Sequence, residues 1–261
     1  MLRRPAEDRE GAHVPVMPGA EPFAHDGGDT GVLLCHGFTG TPQSLRPWAS
    51  ALAAAGHTVR LPRLPGHGTS WPEMNRTEWP DWFAEVDRAL TELVGRCDRV
   101  FVGGLSMGGA LALRLAQTRP ADVTGLMLVN PAVTLGDPRL KALPVLKHLV
   151  PSLAGIASDI AASGSTELAY DRTPLKALHS FVRAMREVAR DLPQVTQPLL
   201  LMHSPQDHVV PVASSELVLA RVSSKDVTEL LLERSFHVAT LDHDADLIER
   251  ESLAFVQRLT G

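Results

Sequence analysis

Short apolar runs alternate with longer amphipathic stretches along most of this chain, and that rhythm restricts the fold more than any other feature. GVLLC (31–35), RVFVGG (99–104), VTGLMLVNP (123–131) and PLLLMHS (198–204) are nearly continuous apolar runs bounded by turn residues. Such runs read as strands buried on both faces. HTVRLPRL (57–64) and VTELLLER (227–234) read as two more strands. Between them, LRPWASALAAAG (45–56) has helical spacing and closes on Gly56, a helix stop. In EWPDWFAEVDRALTELVGRC (78–97), Trp82, Val86, Leu90 and Leu93 fall near one helical face. ALALRLAQTRP (110–120) and DADLIERESLAFVQRLTG (244–261) complete the helices. Strands that alternate with helices form a mostly parallel sheet covered on both faces, an α/β fold. Ligands of such sheets gather beyond the carboxyl ends of the strands.

The alternation pauses over residues 132–194, where helical and proline-punctuated segments replace any convincing strand. The expected organisation is one core made of 1–131 and 195–261, interrupted by a helical cap at 132–194. Residues 1–28 are polar and rich in Pro and Gly, and read as an arm laid over the surface. Within the cap, Leu140, Leu143, Leu146, Leu149 and Leu153 alternate with Lys141 and Lys147. A lipid-facing helix is one reading of that pattern. A substrate-tunnel wall is favoured, because Pro144 and Pro151 spoil a long interfacial helix.

The stretch GGLSMGGA (103–110) joins an apolar strand to a helix and contains G-x-S-x-G. That context is what a nucleophile elbow requires, in which small residues permit a strained turn that lifts the serine, here Ser106, above the sheet. A phosphate loop is excluded, because Gly109 and Ala110 stand where Lys and Ser or Thr are needed. A serine that merely caps the helix stays possible on this motif alone.

A serine nucleophile needs a histidine to take its proton and a carboxylate to orient and stabilise that histidine. Their order in this architecture is Ser, Asp or Glu, then His. PQDHVVP follows the strand at 198–204 and supplies Asp207; SFHVATLDHD follows the last strand and supplies His237. His243 is the alternative base, and Asn130 occupies another strand end but carries no charge to stabilise an imidazolium. His208 is poorly placed to serve its neighbour Asp207, while His57, His148 and His179 read as surface or packing residues. The oxyanion formed on attack needs backbone donors. The N–H of Met107, just after the nucleophile, and that of Phe38, in the loop HGFTG (36–40), are the candidates. The Phe38 side chain should line the acyl pocket. His36 and His67 read as structural.

HGFTGTP, LPRLPGHG, GLSMGG, PQDHVVP and SFHVATLD together resemble the small bacterial carboxylesterases and monoacylglycerol lipases of the α/β-hydrolase fold. The resemblance implies Ser106, Asp207 and His237 as a triad, Phe38 and Met107 as oxyanion donors, and neither cofactor nor metal. It implies a monoacylglycerol or alkyl ester of short to medium chain as substrate. ELAYDRTP (167–174) resembles the lipase segment whose glutamate contacts the glycerol hydroxyls; by that match Glu167 holds the polar head and Ile156 lines the same pocket. A solvated helix residue is the other reading of Glu167. A thioesterase, peptidase or C–C hydrolase uses the same triad, and a catalytically silent binding protein keeps the fold without the chemistry.

Charge and composition exclude other classes. The net charge of −5 and the lack of a basic run argue against a nucleic-acid partner. No apolar stretch approaches the roughly 20 residues that span a bilayer. MLRRPAEDRE has no apolar core to make a signal peptide, and the two cysteines, Cys35 and Cys97, have no metal spacing. Buried free thiols in the cytoplasm are the expectation.

Overall fold

The computed structural model describes residues 14–155 and 158–261. In chain order the first strands are β1 (Phe23–His25), β2 (Thr30–Cys35), β3 (Thr58–Leu61), β4 (Arg99–Leu105) and β5 (Gly125–Val129). Next come β6 (Ser152–Ala154) and β7 (Arg172–Pro174), an antiparallel pair of their own, and then β8 (Leu199–His203) and β9 (Val227–Leu231). The helices are α1 (Arg46–Ala54), α2 (Trp71–Met74), α3 (Trp79–Val94), α4 (Met107–Thr118), α5 (Leu143–Leu149), α6 (Leu175–Arg190), α7 (Ala213–Arg221) and α8 (Ala245–Thr260). The main sheet has the order β1-β3-β2-β4-β5-β8-β9. Only the β1–β3 pair is antiparallel.

The sheet separates two cores, and the two-residue period of each strand sends alternate side chains to opposite sides. Leu33, Val102, Leu128 and Leu201 join the core shared with α3, α4 and α6. Val32, Leu34, Phe101, Met127 and Leu200 join the core shared with α1 and α8. With both faces covered, the central strands β2, β5 and β8 bury every residue except Thr30 at the start of β2, so their sequences show continuous rather than alternating apolarity. Trp82, Val86, Leu90 and Leu93 are all fully buried on the inner face of α3. Strand order reverses around β2: the chain steps outward to β3, then crosses back to β4. The crevice beyond the carboxyl ends of β2 and β4 is therefore the topological switch point, where open α/β sheets bind ligands.

Two elements escape the sequence reading. The arm expected over 1–28 contributes β1, an edge strand paired with β3 through the backbone and through Arg60, whose side chain donates to His25 O at 3.0 Å. Residues 132–194, expected to lack strands, contain the β6–β7 pair beside α5 and α6. Each of these strands is three residues long, too short to carry a period. Between β5 and β8, α6 buries Leu175, Phe181, Val182, Met185 and Val188 at helical spacing. Tyr170 ties this segment to the sheet's loops: its N–H donates to Thr39 O at 3.1 Å and its hydroxyl to Gly66 O at 2.9 Å. Both cysteines are buried and free. Among the described residues no helix is long and apolar enough to cross a membrane.

Candidate active site

β4 delivers Ser106 into a turn with φ 58° and ψ −117°, left-handed backbone that a side-chain-bearing residue rarely adopts. The surrounding glycines make this possible. A Cβ at Gly104 would strike the Gly108 backbone, and one at Gly108 would strike the Cys35 carbonyl. The turn is fixed by the Ser106 N–H, which donates to Val129 O at 3.0 Å, and by its carbonyl, which accepts from Ala132 N–H at 3.0 Å. α4 starts at Met107, so the free N–H groups and positive end of that helix lie beside the serine.

Asp207 and His237 stand in the loops after β8 and β9, as expected. Their pairing is direct: His237 Nδ1 lies 2.7 Å from Asp207 Oδ2, and the two side chains are 9% and 2% exposed. The other carboxylate oxygen of Asp207 accepts from the N–H groups of Val209 (2.8 Å) and Val210 (2.7 Å). Asp207 is therefore fully engaged, and with Nδ1 facing it the imidazole's Nε2 is left for another partner. No hydrogen bond joins Ser106 Oγ to His237 in this conformation; in hydrolases without substrate such contacts are often long and tighten on binding.

Ser106, His237, Phe38 and Glu167 all line one cavity of about 640 Å³, of a size for a small organic ligand. Its apolar wall includes Leu140, Leu143, Leu146, Leu153 and Phe181 from the segment between β5 and β8. Leu149, by contrast, is 75% exposed and points away, so the leucine series divides between wall and surface. The Phe38 ring stacks on Phe181 at 5.7 Å and meets Trp82 edge-on at 5.9 Å. Among the described residues, neither Phe38 N–H nor Met107 N–H is taken by a backbone acceptor. Ile156 lies outside the described residues.

His36 is buried behind this loop. Its Nε2 accepts from Leu64 N–H at 3.1 Å, which leaves Nδ1–H to donate to Gly37 O at 3.0 Å. Burial lowers its pKa to about 4, so the ring is neutral. His67, 5.1 Å away, is likewise held well below the ordinary histidine range, chiefly by burial. His208 pairs with Asp159 at 2.8 Å, while His243 and His148 are exposed.

Glu167 carries a raised pKa because burial disfavours its charge. Its Oε1 lies 2.7 Å from where a Cβ on Gly40 would be.

Three residues that support His237 have no motif to announce them. Asn130 Nδ2 donates to His237 O at 2.8 Å while its Oδ1 accepts from Ser204 N–H at 2.7 Å, so it staples β5, β8 and the histidine loop together. Asp159 accepts from His237 N–H at 3.1 Å and His208 N–H at 3.2 Å. Asp242 accepts from the N–H groups of Ala161, Ala162, Phe236 and His243. Burial alone would raise its pKa, but these donors outweigh that and lower it. The faint signals were a polar residue at a strand end and a run of acids after His237.

A serine on a strained strand-to-helix turn, with a buried Asp–His pair on neighbouring strand ends, defines a hydrolase of the α/β-hydrolase fold. The chain belongs to the hydrolase family described as serine aminopeptidase, S33, which matches residues 29–244. A thermostable monoacylglycerol lipase from Bacillus sp. is 43% identical over 95% of this chain and 98% of its own length. The carboxylesterase of Bacillus subtilis is 26% identical over 92% of this chain and 97% of its own. A solved structure of a metagenome-derived lipolytic enzyme superposes with a TM-score of 0.91 at 44% identity, covering 94% of this chain and 100% of the other. The protein is thus a serine ester hydrolase; the family's description names a peptidase, but these end-to-end relatives are lipases and esterases.

Proposed function

We propose that Ser106, His237 and Asp207 form a catalytic triad that hydrolyses monoacylglycerols and small alkyl esters of short to medium acyl chain. The observation that carries this reading is the 2.7 Å His237–Asp207 contact beside the cavity that Ser106 lines. His237 Nε2 takes the proton of Ser106 Oγ as that oxygen attacks the ester carbonyl. The N–H groups of Phe38 and Met107 hold the resulting oxyanion. His237 then protonates the leaving alcohol, and it activates the water that releases the acyl group from Ser106. Asp207 stays ionised throughout and stabilises the imidazolium.

The acyl chain lies along the leucines of residues 132–194, which act as the cap over the core at 1–131 and 195–261. Glu167 meets the hydroxyl groups of the glycerol. The reaction needs no cofactor or metal. Two free thiols fit a cytoplasmic setting.

Ser106→Ala should abolish both labelling by a fluorophosphonate probe and hydrolysis of a monoacylglycerol. Asp207→Asn should lower kcat by about 10⁴-fold. Near-normal rates in Ser106→Ala would sink the assignment. A panel of mono-, di- and triacylglycerols, alkyl esters, acyl thioesters and aminoacyl anilides tests the substrate class. Aminoacyl anilides as the preferred substrates would move the reading to the peptidase chemistry of the family's description.

A further inference from the structure

The end of the oxyanion loop and its continuation, Thr39 to Gln43, are built around Glu167. Gln43 grips the chain on both sides of it: Nε2 donates to Thr166 O at 3.1 Å, and Oε1 accepts from Leu168 N–H at 2.9 Å. Thr39 O holds Tyr170 N–H three residues further on, and Ser158 Oγ accepts Glu167 N–H at 3.0 Å. The backbone of Glu167 is thereby fixed. Its side chain then enters a space that exists because residue 40 is glycine. A Cβ there would stand 2.7 Å from Glu167 Oε1, too close, while its remaining neighbours, Gly37 O at 3.6 Å and Glu167 Cδ at 3.7 Å, are at ordinary contact.

Gly40 is not in the left-handed region, so its backbone does not itself demand glycine. The absence of a side chain serves the carboxylate.

We infer that Gly40 and Gln43 are specificity-determining residues, which seat the Glu167 carboxylate beside the oxyanion loop and so set selectivity for a polyhydroxy alcohol group. This rests on Glu167 as the contact to the glycerol hydroxyls. The alcohol of a bound ester leaves from the same carbonyl that the oxyanion loop polarises. A carboxylate seated on that loop's continuation is indexed to the scissile bond and not to the mobile end of a surface residue. The seat is sterically selective: a methyl at position 40 meets only the far end of a flexible side chain, which swings away and leaves the fold in place.

The test compares kcat/KM for a monoacylglycerol and for the ethyl ester of the same acid. Their ratio cancels any general loss of activity. Glu167→Ala should lower the ratio about tenfold, the loss of a hydrogen bond to a carboxyl group. Gly40→Ala should lower it to a similar extent, and Gly40→Ala combined with Glu167→Ala should lower it no further. Gln43→Ala, which releases the backbone without entering the cavity, should lower it in the same direction by a smaller factor. Thermal melting should show Gly40→Ala folded like the parent protein. If Glu167→Ala lowers the ratio while Gly40→Ala and Gln43→Ala leave it within twofold, the seat is overturned and the role of Glu167 stands. An unchanged ratio in Glu167→Ala overturns both.

Discussion

The proposed nucleophile and the proposed base are held by opposite means. Ser106 is placed by what its neighbours lack: Gly104 and Gly108 leave room for the turn to close against Cys35 and its own helix. His237 is placed by what its neighbours supply, a set of polar side chains that reach in from other elements. Asn130 holds its carbonyl, Asp159 its N–H, and Asp207 its ring. A packed, side-chain-free turn resists small change, whereas a loop held by hydrogen bonds can be loosened one bond at a time. Substitutions should therefore act on the two sides in different ways.

The largest effect is expected on the nucleophile side. Gly108→Ala forces a methyl into the Cys35 carbonyl, where β2 and α4 cannot both stay in place. A loss of at least about 4 kcal/mol is expected, the range reserved for severe backbone conflict. Urea denaturation of the variant reads it directly. A stable Gly108→Ala protein would break the claim that sterics alone define this side.

Acid should also separate the two sides. Behind the loop that carries Phe38, the pKa of His36 is lowered to about 4 from an ordinary 6.5, and that of His67 is lowered too. A depressed histidine binds fewer protons folded than unfolded, so stability is full above pH 6.5 and falls as the pH drops toward 4. For His36 alone the loss across that window is about 3 kcal/mol. Asp242, on the base side, has its pKa lowered by backbone donors, and its contribution lasts until the pH falls below the ordinary carboxylate range. Melting curves at pH 7 and pH 5 should therefore differ, and the difference should shrink in His36→Gln. Equal stability at both values would show that the ring is already charged in the fold.

On the base side, Asn130→Ala leaves Ser204 N–H and His237 O without their partner, at a cost of about 2 kcal/mol. Unlike Gly108→Ala, this protein should fold and lose kcat through a displaced imidazole. Asn130→Asp keeps an acceptor for Ser204 N–H but turns a carboxylate toward the His237 carbonyl, and should restore less activity than stability. Urea denaturation and esterase assays on both variants separate these outcomes.

The same contrast explains what the sequence made legible. The elbow could be read because steric need leaves a local trace: glycines at fixed offsets around one serine, between an apolar strand and a helix. The Asp207–His237 pair could be read from its place at successive strand ends, and the buried strands from continuous apolarity. Asn130 was visible only as an unsuitable acid, because a staple is defined by three segments that meet in space. Asp159 lies 78 residues before the histidine whose N–H it accepts, with no periodicity linking them. The strands β1, β6 and β7 were hidden for a related reason: three residues paired through backbone leave the side chains free to be anything.

Asp159 gives the smallest effect and the sharpest test. It belongs to the segment between β5 and β8, while Asn130 and Asp207 reach His237 from the strand ends beneath it. Its carboxylate accepts two backbone N–H groups and faces the exposed His208 ring. Water can replace part of that, so Asp159→Ala should cost only about 1 kcal/mol in stability. Activity distinguishes two arrangements. If the staples beneath fix His237, kcat should fall only a few-fold and Asp159→Asn, whose amide oxygen still accepts, should recover it. If kcat in Asp159→Ala falls as far as in Asn130→Ala, the base is steered from above as much as from below. The contrast would then lie between one rigid residue, Ser106, and a histidine loop shared by the core and the segment that covers it.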